Sequence, residues 1–154
     1  MEKRTPIKRK EEMKPVSRDH HHSLLLCWKI RTAFKNDISV DRVKKYTDWF
    51  YQKHVLPHFE LEEKYIFPVL GNDDELVKQA LSEHRRLKRL FENKEEPLKS
   101  LSLIEEELEK HIRFEERVLF QKVQLVASEG ELKAIELHHA SGEFKENTKD
   151  VFWE

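Results

Sequence analysis

Twice in this chain a histidine is followed four residues later by a glutamate inside a helical pattern, at His58–Glu62 and at His111–Glu115. Residues four apart lie one turn above each other on a helix face, so the imidazole and carboxylate can grip one metal ion or a bridged pair. Each pair precedes an aromatic-rich apolar run, Tyr65-Ile66-Phe67-Pro68 in one case and Val118-Leu119-Phe120 in the other. The two turns therefore read as two halves of one site. More histidines, in the cluster His20-His21-His22 and at His84, fall on separate predicted helices. Burying a carboxylate without compensation costs several kcal/mol, so such groups neutralise, pair or bind metal. No Lys or Arg sits opposite them on the same stripes. Mixed imidazole and carboxylate suit first-row metals, and the missing thiolates argue against a structural zinc knuckle. Two carboxylates able to bridge, with about two histidines per ion, fit a dinuclear iron or manganese centre.

The elements that must position these groups are helices. Residues 1–16, with Pro6 and Pro15, read as an extended basic lead-in. Ser17 or Asp19 caps a first helix to about Lys35, and Ser39 caps a second that ends at Gly71. Pro57 should kink this second helix, because proline removes an amide donor and crowds the preceding turn. A third helix runs from Asn72-Asp73-Asp74 to about Asn93. Ser102-Leu103-Ile104-Glu105 has capping-box spacing and opens a fourth, which stops near Gly130. A shorter helical segment covers Glu131 to about Lys149.

Inward seams follow from steps of three and four. They are Ile104, Leu108, His111, Glu115, Val118 on the fourth helix and Val77, Ala80, His84, Leu87, Phe91 on the third. On the second the stripe is Val43, Thr47, Phe50, His54, His58, Glu62, Tyr65. On the first, His20, Leu24, Cys27, Ile30 and Phe34 make a better stripe than the one through His21. The expected fold is all-α, an up-down-up-down four-helix bundle over 17–130 with a short extra C-terminal helix in 131–154.

The bulk numbers agree with that class. At 154 residues and 18.7 kDa, with 3 Gly and 5 Pro, there is material for one helical domain and little for a turn-rich β fold. A net charge of -1 gives no global argument for nucleic acid or membrane as partners. The first 18 residues hold seven Lys/Arg against three Glu, read as a solvated tail. No apolar run approaches a membrane span, the opening has no signal-peptide h-region, and the single Cys27 suits a reducing cytoplasm.

Four quoted segments together resemble the hemerythrin-like (HHE cation-binding) family over roughly residues 15–130. They are Ser17-Arg18-Asp19-His20-His21-His22, His58-Phe59-Glu60-Leu61-Glu62-Glu63-Lys64-Tyr65-Ile66-Phe67-Pro68, Glu83-His84-Arg85-Arg86-Leu87 and His111-Ile112-Arg113-Phe114-Glu115-Glu116-Arg117-Val118-Leu119-Phe120. The resemblance implies two non-haem irons. His20, His58 and Glu62 take one share and His84, His111 and Glu115 the other, with both glutamates bridging. It also implies an oxo or hydroxo bridge and an open position for O2 or related small ligands. The oxygen carriers of the family place a second histidine one turn after the third-helix ligand; here that position is Lys88. This departure counts against reversible O2 storage and leaves room for sensing or reactions of O2, NO or peroxide, or for iron handling.

The function expected is therefore a cytoplasmic di-iron protein that binds or senses O2 or a related ligand (NO, peroxide). Two alternatives stand beside it: a di-iron enzyme for peroxide or NO reduction or iron donation for cluster repair, and a metal-free or zinc-binding helical adaptor. The sequence names no redox partner. No Ser–His–Asp order, phosphate loop or dinucleotide fingerprint supports another enzyme class. Glu63 and Glu116 read as solvated, His54 as core, adjacent to the site or a further ligand at the open position, and His138-His139 as surface or packing. Cys27, Trp28, Trp49 and Trp153 read as packing. Phe144, Val151, Phe152 and Trp153 either fold back onto the helices or mediate self-association.

Overall fold

The computed structural model describes residues 8–139 and 144–154, which are all-α, with no strand among them. Four long helices carry the fold. Helix α1 is Lys14–Lys35, entered through a 3-10 turn, Glu11–Met13. Helix α2 is a continuous run over 40–70, α-helical in Val40–Phe50, Leu56–Leu61 and Phe67–Leu70 and wound as a π-helix in Tyr51–Val55 and Glu62–Ile66. Helix α3 is Glu75–Glu92. Helix α4 runs over 97–126 as Pro97–Phe114, a π turn at Glu115–Leu119, and Phe120–Val126. A short α5, Glu129–His138, follows, and 144–154 return over the helices without regular structure.

Local chemistry explains most boundaries. Asp74 caps α3, its side chain accepting from the Leu76 and Val77 amides. Gly71 ends α2 with φ 89 and ψ 156, a positive φ that a side chain would resist, though outside the left-handed helical region expected there. The first helix begins earlier than Ser17, and residues 11–16 are helical, not extended. Pro15 fits its first turn, where the missing amide costs nothing, and Met13 and Val16 are fully buried. The fourth helix likewise starts at Pro97, so Ser102 lies inside it and caps nothing. The capping box that forms is Ser128 with Glu131, which ends α4 early and places Gly130 inside α5. The C-terminal helical segment expected to reach Lys149 stops at His138; 140–143 lie outside the described residues, and 144–154 are not helical.

Pro57 does not interrupt the helix. Before it, the Leu56 amide donates to the Tyr51 carbonyl in a π turn, and before Pro68 the Phe67 amide donates to Glu62 in the same way. In α4 the Phe120 amide donates to Glu115 with no proline following. Each π turn holds one residue more than an α turn and so rotates the inward face by one position. This corrects two seam residues. Leu119, fully buried, replaces Val118, which is 44% exposed, and Ile66 replaces the partly buried Tyr65.

Two apolar clusters flank the level of His20, His58, His84 and His111. One gathers Ile30, Phe50, Phe59, Leu87, Phe91 and Leu101 among others. The other gathers Val16, Ile66, Phe67, Val77, Leu119 and Phe120. α1 and α3 both pack on the 97–114 part of α4, and Phe67–Leu70 meets Phe120–Val126. α5 closes over Glu11–Met13 and Glu62–Ile66. The returning tail buries Phe152 and packs Phe144 and Trp153 on the first cluster, so these aromatics fold back. Its anchors are Lys29, whose Nζ donates to Tyr46 and Glu146, and Arg42 on Asp150. Among the described residues no helix is long and apolar enough to cross a membrane.

Candidate metal centre

Between the two apolar clusters, side chains from all four long helices converge. His20, His58, Glu62 and Glu115 form one group able to hold a cation, and Glu62, His84, His111 and Glu115 form another. Within each group the donor atoms lie within 4.8 Å of one another, and every member is buried. His20 Nε2 stands 3.0 Å from Glu115 Oε1 and 3.0 Å from His58 Nε2. His84 Nε2 is 3.1 Å from Glu62 Oε1, and His111 Nε2 is 3.3 Å from Glu115 Oε1. The structure thus brings together the six residues singled out by spacing. The inward histidine of the first cluster is His20; His21 faces solvent and His22 stacks on Phe144. His54 packs among Trp49, Phe50 and Phe144 and is in neither group.

What sequence reasoning missed is the layer behind the histidines. Each of the four rings gives its Nδ1–H to a carboxylate from another helix: His58 to Asp19 at 2.8 Å, His84 to Glu63 at 2.7 Å, His111 to Glu83 at 2.7 Å, His20 to Glu116 at 2.8 Å. The acids form a closed ring. α1 supplies the acid for α2, α2 for α3, α3 for α4, and α4 for α1. Glu63 and Glu116, expected in solvent, are therefore members of the site. A residue beside a ligand on a helix points about 100° around it, toward the neighbouring helix. The available signal was that Asp19, Glu63, Glu83 and Glu116 each adjoin one of the six residues in sequence. With Nδ1 so engaged, Nε2 is the nitrogen each ring turns inward, the one that would meet a metal once its proton leaves.

A third layer holds the acids. Arg9 and Ser17 donate to Glu116, Gln79 to Glu83, and His139 to Asp19, while Lys88 Nζ lies 3.9 Å from Glu63. Arg9 is thus no solvated tail residue. His139 belongs to this layer, although His138 is exposed and stacks on Tyr65. Phe59 stacks on His84 and Phe120 on His20, closing the space above and below. A cavity of about 1280 Å³, rimmed by Arg18, His54, Tyr65 and His139, reaches the outer side of Asp19 and His58.

The electrostatics follow from this density of acids. Burial disfavours a charged ring at His58, but the Glu62 charge and the bond to Asp19 overcome it and raise the pKa to about 9. His111 rises to about 10 against burial, through Glu115 and Glu83, and His20 and His84 shift the same way. Burial also opposes ionisation of Glu62, yet His58, His20 and His84 hold it well below the usual carboxylate range. Burial opposes charge on Asp19 too, and the bonds from His139 and His58 hold it low. By contrast, burial pushes the Cys27 thiol up to about 12, so this residue packs as an apolar group.

Both Glu62 oxygens, Glu115 Oε2, His84 Nε2 and His111 Nε2 are buried without a hydrogen-bond partner. They face one another at ion-pair distances without hydrogen-bond geometry, and all of them border one small space. A cation in that space satisfies them together. The nitrogen and oxygen donor set, with two carboxylates common to both groups, fits a pair of first-row ions. A family model described as the hemerythrin HHE cation binding domain matches residues 16–123, while no curated protein and no solved structure matches the chain. The matched span holds all six inward residues and the four acids behind them, and on that match the chain belongs to the hemerythrin HHE cation-binding family.

Proposed function

We propose that this chain is a non-haem di-iron protein that binds or senses O2 or a related small ligand such as NO or peroxide. His20 and His58 would hold one iron, His84 and His111 the other, and Glu62 and Glu115 would span both. The observation that carries the reading is the overlap of the two donor groups through the same two buried glutamates. Shared carboxylates with histidine on facing helices are the pattern of dinuclear iron sites in helix bundles. The bound irons would supply the redox electrons and the coordination position for the ligand.

The protein's own part is to prepare and shield that position. The four outer acids fix each ring in the tautomer that offers Nε2, and Phe59 and Phe120 keep water from two sides. The cavity beside Asp19 and His58 would bring a small ligand as far as the outer side of His58. Lys88 is turned to Glu63 and adds no imidazole, so one iron would have fewer protein ligands than in the oxygen carriers. The reading includes alternating helix directions, up-down-up-down. Its support is that α1 and α3 meet the Val16 cluster first and the Ile30 cluster second, whereas α2 and α4 meet them in reverse.

The experiment is to add azide or NO to iron-loaded protein and follow the optical spectrum. A saturable change, abolished in His111→Ala, is expected. Iron-loaded protein whose spectrum neither ligand alters would contradict ligand binding at the site.

A further inference from the structure

A side chain from the C-terminal part of the chain, His139, reaches the layer behind the centre. His139 Nε2 donates to Asp19 Oδ2 at 2.8 Å, and the same oxygen accepts the Nδ1–H of His58, also at 2.8 Å. His139 lies beyond the 16–123 span matched by the family model, at the C-terminal end of α5. It is held there firmly. The Ser128–Glu131 capping box starts α5, buried Leu132 and Ile135 seat it on the Val16 cluster, and the His139 amide donates to the Ile135 carbonyl. Further on, Phe144 stacks on His22 and Glu146 is bound by Lys29.

We propose that His139 is a positioning residue of the metal centre, acting through Asp19 to set how strongly His58 donates to its metal. The inference rests on the reading of His58 as a ligand. A carboxylate behind a ligating imidazole pulls on its N–H and makes the ring a stronger donor. An oxygen that accepts two N–H groups pulls less on each, so His139 moderates the effect of Asp19 on His58. It also pins the carboxylate, whose side chain remains one-third exposed and would otherwise turn to water. The arrangement makes the extension more than a cover: its docking is read out at one ligand.

The test compares the unmodified chain with His139→Leu and His139→Gln, each also in an Asp19→Asn background. In metal-free protein, imidazole NMR follows the His58 Nδ1 proton; in iron-loaded protein, the reduction potential is measured. In His139→Leu the proton should move downfield and the potential should fall, because an electron-richer His58 favours the ferric state. His139→Gln keeps an amide donor and should return both readouts part of the way. With Asp19→Asn in place, His139→Leu should add nothing. Folded His139→Leu with both readouts unmoved, or the same effect persisting in Asp19→Asn, overturns the proposal. If the leucine variant does not fold, His139→Gln decides: shifts of the same sign that vanish with Asp19→Asn in place support the coupling, and none overturns it. A moved NMR signal in protein that takes up no iron sustains the coupling and removes only the di-iron reading.

Discussion

A neutral imidazole has one lone pair, and the group bonded to its N–H decides which nitrogen carries it. At this centre four acids make that choice. Removing one leaves the ligand in place but frees its ring, so Glu83→Gln or Glu63→Gln should weaken metal binding by about 10–100-fold. The exposed Glu75→Gln should leave it unchanged, as read by competition with a chelator. The same acids govern the response to pH. His58 and His111 have an ordinary value of 6.5 and stand at about 9 and 10 in the folded, metal-free chain. Their stabilisation is therefore complete below pH 6.5 and lost as pH rises through about 9 to 10. Glu62 works oppositely: its contribution is present above its ordinary 4.5 and lost as pH falls through its lower folded value. Melting temperatures of the metal-free protein should accordingly peak between about pH 4.5 and 6.5. Metal must displace the ring protons, so proton release on loading should be measurable at pH 7; metal uptake with no proton release would contradict these shifts. At this scale the six inward residues were legible because His and Glu on an apolar stripe demand a reason. The four outer acids were not, since their partners lie on other helices and an acid on a solvated face looks the same.

The π turns at Glu62–Ile66 and Glu115–Leu119 each begin at a glutamate of the centre. Proline accounts for only one of them, because Pro68 follows the first and Gln121 occupies the matching place after the second. A π turn at a His-to-Glu segment therefore forms without a following proline, although the turn at Tyr51–Val55, which has no such segment, does precede Pro57. Pro68→Ala should keep the π turn in α2, with the Phe67 amide still protected in hydrogen exchange and Ile66 still buried. Reversion to an α turn, seen as a new amide bond pattern around residues 66–68, would show that proline imposes it. Helix existence was legible from the seams and the Asp74 cap. The residue-level register beyond Glu62 and Glu115 was not, because a strict helical period cannot anticipate an inserted residue. The start of α4 was misread for a related reason. Ser102 had the spacing of a cap, but Pro97 begins the helix upstream, and Ser100 and Leu101 are already buried there.

For the whole molecule, the ring of acid–imidazole bonds means that each long helix holds an inward histidine of the next in place. The cage confines buried carboxylates and histidines that only protons or a cation can reconcile. Metal should therefore raise the melting temperature in proportion to the logarithm of its free concentration. Arg9 and His139 extend the same network to the N-terminal lead-in and to the end of α5, which composition alone presents as a charged tail and a weak helix. Long-range docking of this kind has no local period and so leaves no mark in the sequence. The most direct measurement is an anaerobic titration of metal-free protein with ferrous iron, followed by elemental analysis after removal of excess metal. The account predicts uptake of about two irons per chain, as a pair of bridging carboxylates requires, falling sharply in Glu62→Ala. Uptake of one iron or none, or full uptake by Glu62→Ala, would contradict it.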